Sequence, residues 1–179
     1  MTIEQVLSFW FERHGPDQWW AKDPAFDESI RSEFGALHAS AALGELHEWR
    51  EAPEGRLAEI IVLDQFSRNL YREDPRAFAC DGMALALAQE ALRAHADQAV
   101  ELERRKFFYM PYEHSESRRI HEIAVRLFES IDDPRSLDYE LQHKGIIDRF
   151  GRYPHRNKAL SRPSTPEEIA FLKTPNSSF

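Results

Sequence analysis

Helix-start patterns recur along the whole chain, and they constrain its fold more than any other feature of the sequence. Thr2 and Gln5 form a capping-box pattern ahead of a run of apolar residues. Proline also follows an N-capping residue repeatedly, and it suits the first helical position, where an amide has no partner. These pairs are Asp23-Pro24, Asp74-Pro75, Asp133-Pro134 and Thr165-Pro166. Runs of alternating β-branched residues, which are typical of strands, are absent from the sequence, so it predicts an all-α fold.

Apolar residues follow these starts at helical spacing, as Phe26, Ile30, Phe34, Leu37 and Ala41 do. The predicted helices cover residues 2–14, 23–44, 53–70, 74–95, 102–109, a stretch from Ser115 or Ser117 to 128, 133–150 and 165–172. The helix from residue 102 is expected to break at Met110-Pro111. Short connections between helices predict antiparallel neighbours, so we expect one helical domain over residues 1–179.

Charge and cysteine content exclude several classes of protein. The chain has 179 residues and a net charge of −8, which argues against a broad basic face for nucleic acid or a membrane surface. It has one cysteine, no signal-peptide pattern at its start and no apolar run long enough to cross a bilayer. The sequence therefore predicts a cytoplasmic protein with no nucleic-acid or membrane partner.

Several blocks of sequence, in one order along nearly the whole chain, carry a resemblance to a known family. They are Trp19-Trp20 with residues 22–27, Gly55-Arg56-Leu57, residues 63–69, Pro75-Arg76-Ala77-Phe78, residues 110–116, residues 150–157 and residues 164–168. Together they resemble the DUF924 family of bacterial proteins. The resemblance implies a TPR-like array of antiparallel helices and brings no established activity. Ser67 stands where the family usually has proline, so the helix there is expected to be straighter or longer.

A basic turn near the end of the chain is the first candidate site. Residues 143–162 contain six Lys or Arg and two His but one acid, Asp148. Arginine suits bidentate contact with a carboxylate or phosphate, and asparagine can both donate and accept. The candidate ligand-binding residues in this turn are Arg152, His155, Arg156 and Asn157. The alternative, which the sequence favours, is that these arginines pair with acids of neighbouring helices.

The second candidate is the segment Glu113-His114-Ser115-Glu116. A histidine beside a carboxylate can act as a general base, since its usual pKa is close to neutral. His114, Glu116 and His155 are therefore the candidate catalytic residues, with Glu116 expected to orient the imidazole. If the protein is an enzyme, one of these histidines should be reached by solvent and bound to a carboxylate on one side. If it is a scaffold, both nitrogens of each should be occupied by structural partners.

A polar row on the helix predicted for residues 53–70 is the third candidate. Asp64 and Arg68 are four residues apart and can pair, and Gln65 and Asn69 lie beside them. This row could line a concave surface of the helical array, where Arg68 would bind ligand, or it could face solvent, which is the favoured interpretation. The four tryptophans, in contrast, are expected in the core or wedged between helices, and Cys80 is expected to be buried and inert.

These candidates leave three functional hypotheses open. The preferred one is a pocket lined by arginine and histidine that binds an anionic small molecule or a peptide carboxylate. The alternatives are a small-molecule enzyme with a histidine general base and a helical scaffold that docks a protein partner. His121 lacks the second histidine of a His-Glu-x-x-His motif, and the sequence has no phosphate-binding Gly-rich loop. We therefore expect no metal and no cofactor.

Overall fold

The computed structural model describes residues 1–178, and the fold is all-α, with no strand among those residues. The α-helices are α1 (Ile3–Ser8), α2 (Pro16–Trp19), α3 (Pro24–Ala42), α4 (Pro53–Ile61), α5 (Ser67–Leu70), α6 (Asp81–Arg93), α7 (Leu102–Glu113), α8 (Arg118–Glu129), α9 (Pro134–Phe150) and α10 (Pro166–Phe171). Wider π-helical turns span Phe9–Arg13 and Val62–Phe66. Short 3-10 turns span His47–Glu51, Pro75–Phe78, Ala96–Ala99 and Pro154–Arg156.

The capping residues begin their helices as the sequence predicts. The Thr2 hydroxyl accepts from the amide of Gln5, and the Gln5 side chain accepts from the amide of Thr2. Asp23 and Asp133 each accept from amides in the first turn that follows them. Thr165 begins α10 with a full capping box. These predictions are confirmed because a cap needs only residues that are close in sequence.

Two helix boundaries differ from the prediction. Asp74 caps a 3-10 turn instead of a helix, and α6 begins later, at Asp81. The break expected at Met110-Pro111 is also wrong, because α7 continues through Pro111 to Glu113. Phe107, Phe108 and Tyr112, on both sides of the proline, are buried. The free energy gained by burying these side chains offsets the loss of the helical hydrogen bond that proline cannot donate.

The first two-thirds of the chain form an aromatic core, which we define as Phe9, Trp10, Phe26, Phe34, Phe66 and Phe107. All six are almost completely buried. Their rings meet mostly edge-on or tilted, for example Phe34 with Phe9 at a centroid distance of 4.9 Å and with Phe66 at 5.1 Å. The prediction for the tryptophans holds for Trp10 but is wrong for Trp20, which is 47% exposed.

The later helices place polar side chains against this core. Helix α7 packs on α4, α6 and α8, and α8 packs in turn on α9. A small second apolar cluster of Ile146, Ile147 and Tyr153 lies at the end of α9. The TPR-like arrangement stays a prediction. No helix within residues 1–178 is both long and apolar enough to cross a membrane.

Candidate functional site

The π-helical turn Val62–Phe66 carries the first component of the site. It joins α4 to α5 without a break, and its wider turn holds Asp64 and Gln65 both inside the protein, 1% and 6% exposed. Gln65 donates to Asp64 Oδ2 over 2.6 Å. The prediction that this polar row faces solvent is therefore wrong. Single π-turns within α-helices occur frequently at functional sites.

Asp64 binds His114, which ends helix α7. The distance from Asp64 Oδ1 to His114 Nδ1 is 2.7 Å, and we call these two residues the dyad. Burial raises the pKa of Asp64, but His114 and Arg68 together lower it by more than burial raises it. The pKa of Asp64 therefore lies well below the usual range. Burial and the charge of Arg68 outweigh the attraction of Asp64 and lower the pKa of His114. At neutral pH the dyad is thus a carboxylate and a neutral imidazole.

This charge state fixes the tautomer of His114. A carboxylate can only accept hydrogen bonds, so Nδ1 must carry the proton, and Nε2 keeps its lone pair. Among residues 1–178, no side chain or backbone group forms a hydrogen bond with that Nε2. The His114 side chain remains 11% exposed. The dyad therefore presents an oriented proton acceptor that the rest of the described chain does not occupy.

Two arginines lie next to the dyad and share one carboxylate. Arg68 contacts Asp64 Oδ1 at 3.2 Å and forms a two-point pair with Asp81, at 3.0 and 3.1 Å. Arg156 donates to Asp81 Oδ2 at 3.1 Å and to the carbonyl oxygen of His114 at 3.0 Å. The backbone of His114 is thus held by Arg156 and its ring by Asp64.

Arg156 itself is buried between two aromatic rings. Its guanidinium carbon lies 4.6 Å from the ring centre of Phe78 and 4.5 Å from that of Tyr153. Its Nε is buried and forms no hydrogen bond within the described chain. Arg68, in contrast, keeps 21% of its side chain exposed. Of the two cations, Arg68 is therefore the one placed to meet a molecule from solvent.

Three other predicted ligand-binding residues belong to a separate ion-pair network. Glu116 accepts two hydrogen bonds from Arg162, at 2.6 and 2.9 Å, and one from the amide of Tyr153. Arg152 binds Glu168 at 2.7 and 2.9 Å, and Asn157 also donates to that carboxylate. This network ties the end of α9 to α10. Its contacts match the structural alternative that the sequence favoured for the basic turn.

His155 lies beside both groups of residues, with its ring centre 5.5 Å from that of Tyr153. Burial, followed by the charges of Arg156 and Arg68, lowers its pKa to about 3. The structure therefore brings Arg68, His114 and Arg156 together, with His155 at the edge. The carboxylate that orients His114 is Asp64, whereas Glu116 is engaged by Arg162.

A polar interior lies behind the dyad, and we define it as Glu113, His121, Glu140, His143 and Tyr153. His121 Nδ1 is 2.8 Å from Glu140 Oε1, and its Nε2 is 2.8 Å from the carbonyl oxygen of Ser115. The Tyr153 hydroxyl donates to the carbonyl oxygen of Glu113. Burial, with the charges of Glu140 and Asp64, raises the pKa of Glu113 well above its usual value, and burial lowers that of His143 well below its own. Burial thus favours the uncharged form of both side chains.

The residues that complete the site have no local pattern in the sequence that would identify them. Asp64 and His114 are 50 residues apart, and Arg156 and Asp81 are 75 apart. The one available indication for Asp64 is the i,i+4 spacing to Arg68, which the structure confirms as an ion pair. Asp81 and Glu140 have no such pattern. Cys80 is buried, as predicted.

Two comparisons with known proteins each match most of the chain. Residues 6–176 match the family described as "bacterial protein of unknown function (DUF924)". A solved structure of a protein of unknown function from Agrobacterium tumefaciens is 39% identical in sequence. The similarity covers 96% of each chain, with a TM-score of 0.91. A search of curated proteins finds no significant match.

Proposed function

The chain belongs to the DUF924 family of bacterial proteins, and we propose that it is an enzyme acting on a small molecule that carries an anionic group. The observation that supports this proposal is the dyad, in which Asp64 binds Nδ1 of His114 at 2.7 Å and leaves the Nε2 lone pair available. A neutral imidazole oriented by a buried carboxylate is suited to general-base catalysis near neutral pH. His114 Nε2 is the proposed proton acceptor, and Asp64 stabilises the imidazolium that forms.

The surroundings of the base restrict the class of reaction. No hydroxyl or thiol of residues 1–178 forms a hydrogen bond with His114 Nε2, so no nucleophile of the described chain is activated there. The proton that His114 takes then comes from the substrate or from a water molecule. The proposed reaction is therefore proton abstraction or water-assisted hydrolysis without a covalent intermediate on a side chain.

The substrate class follows from the paired arginines. Arg68 and Arg156 already hold a carboxylate, that of Asp81, which is 18% exposed. Arg68 reaches solvent beside it, and a guanidinium can bind a carboxylate or phosphate through two parallel hydrogen bonds. We propose that an anionic group of the substrate binds at the exposed edge of Arg68. His155 lies at the margin of this site.

The proposal is tested by histidine-selective ¹⁵N NMR at pH 7. The His114 Nε2 signal should be that of an unprotonated nitrogen in the wild type. It should become that of an N–H in Asp64→Asn, because the amide can donate to Nδ1. Phosphate and malonate, used as anionic probes, should shift the His114 resonances. Arg68→Gln should abolish that shift, and Arg126→Gln, which changes an exposed arginine of α8, should retain it.

Two results would count against the proposal. A protonated Nε2 in the wild type at pH 7 would remove the base. Equal responses of wild type and Arg68→Gln to both anions would remove the anion site, since generic salt effects do not depend on one arginine.

A second candidate function is binding without catalysis, with a peptide carboxylate as the ligand. It is favoured by the use of two arginines for one carboxylate at Asp81. In that case Asp64→Asn would leave the affinity for malonate nearly unchanged, because the dyad would only shape the site. The docking of a protein partner along the helices stays a prediction from the sequence.

A further inference from the structure

A groove lined by Phe11 and Trp19 has a chemistry that the proposed function does not use. It has a volume of about 560 Å³ and lies between the segment with Phe11 and Trp19, the first turns of α7, and the turn before α9. Phe11, Trp19 and Ile131 contribute apolar surface to it. Its size falls in the usual range of small-molecule sites.

One positive charge lies in this groove without a direct partner. The Lys106 ammonium lies over the rings of Trp19, Trp20 and Phe107, at 5.4, 5.9 and 5.7 Å from their centres. Among the residues that the structure describes, it forms no hydrogen bond and no ion pair within 4.0 Å. Its three N–H donors are therefore available to a ligand in the groove.

Negative charge lies near Lys106 in the same groove. Glu103 and Asp133 both line the groove and attract the ammonium electrostatically, which opposes the lowering of its pKa by burial. Asp133 is occupied as the cap of α9, whereas Glu103 is exposed. Glu103 and Lys106 are three residues apart on α7, so they project from one side of the helix. Glu103 and Lys106 thus place opposite charges on one side of α7 without forming an ion pair within 4.0 Å.

From this arrangement we propose that the groove binds an apolar α-amino acid as its zwitterion. The carboxylate of the ligand accepts from Lys106, its ammonium group donates to Glu103, and its side chain packs on Trp19 and Ile131. A ligand with only one of these charges would leave the opposite charge of the protein unmatched. A zwitterion satisfies both and keeps the net charge of the site unchanged.

The probes are L-phenylalanine, 3-phenylpropanoate, which lacks the ammonium group, and phenethylamine, which lacks the carboxylate. Binding is followed through the indole N–H signal of Trp19, which donates to the carbonyl oxygen of Trp10 and is therefore a fixed reporter. L-phenylalanine should shift this signal with saturation. Each one-charge analogue should bind about tenfold more weakly, as expected when one charge-assisted contact is lost.

Substitutions at the two charges complete the test. Lys106→Met keeps the aliphatic stem on the rings and should weaken L-phenylalanine binding by about tenfold, as should Glu103→Gln. Lys158→Met, at an exposed lysine outside the groove, is the control and should change nothing. The inference is overturned if L-phenylalanine gives no saturable shift. It is also overturned if either one-charge analogue binds as tightly, or if both groove variants bind like the wild type.

Discussion

The aromatic core and the polar interior are both buried, but they are held together by different forces. The six residues of the aromatic core present only carbon-rich surfaces to one another, apart from the indole of Trp10. In the polar interior, imidazoles, carboxyl groups and a phenol meet through hydrogen bonds with defined donors and acceptors. The first kind of contact depends on volume, whereas the second depends on individual atoms and protons.

This difference explains where the candidate site lies. Apolar packing is non-directional and cannot fix a tautomer, whereas a network of hydrogen bonds can. His114 lies at the boundary, where α7 leaves the aromatic core at Phe107 and enters the polar interior at Glu113. The core supplies rigidity to α7, and the polar residues at its end supply orientation. Both are needed for a base that is held in one position.

The largest expected effect tests the aromatic core by volume. Phe34→Ala removes a fully buried ring that contacts Phe9 and Phe66. It should lower the free energy of unfolding by about 3–5 kcal/mol, measured by urea denaturation. Phe34→Leu should lose clearly less, since most of the volume is retained. Equal losses for the two variants would mean that ring geometry, and not volume, controls this core.

A smaller effect should follow from one atom in the polar interior. Tyr153→Phe keeps the ring but removes the hydroxyl that donates to the carbonyl oxygen of Glu113. It should lower the free energy of unfolding by about 1–3 kcal/mol, because a buried acceptor loses its partner. Tyr71→Phe, at a half-buried tyrosine of the other region, serves as the matched control. If both variants unfold at the wild-type urea concentration, the directional character of the polar interior is refuted.

The smallest expected effect concerns a proton on Glu113. The folded protein raises the pKa of this carboxyl group above its usual value of 4.5. Between pH 4.5 and the raised pKa, the folded state therefore retains a proton that the unfolded chain has lost. The associated stability is complete below pH 4.5 and is lost as the pH rises toward the raised value. Glu113→Gln should flatten this decline and raise the urea midpoint at pH 7.

The control for this last comparison is Glu122→Gln, which changes an exposed carboxylate of α8. It should keep the decline of the wild type above pH 4.5. A parallel decline in Glu113→Gln would show that another group of the polar interior titrates in this range.

Features encoded by neighbouring residues could be predicted from the sequence. Asp23, Asp133 and Thr165 begin helices as expected because each cap depends on the next two or three amides. The break expected at Pro111 was wrong because burial of residues distant in sequence outweighs one missing hydrogen bond. Local propensity thus gave most helix positions and failed where tertiary packing decides.

The candidate site could be predicted only in part, for the same reason. The chemistry of His114 predicts it as a site residue with Glu116, two residues away, as its partner, whereas in the structure that partner is Asp64. Ser67, which departs from the family pattern, accepts or donates at His38 Nε2 over 2.7 Å and begins α5 directly after the π-turn. These pairings require the three-dimensional path of the chain, which spacing in the sequence does not contain.

The π-turn at Val62–Phe66 has a consequence for chain length. Its hydrogen bonds enclose one more residue than those of an α-helix, so it acts as a one-residue insertion within a continuous helix. Deleting a single residue there would restore the regular ladder and rotate everything on one side by about 100°. Asp64 and Arg68 would no longer face His114 and Asp81 together. A one-codon deletion at this point would thus leave a well-formed helix while removing the dyad.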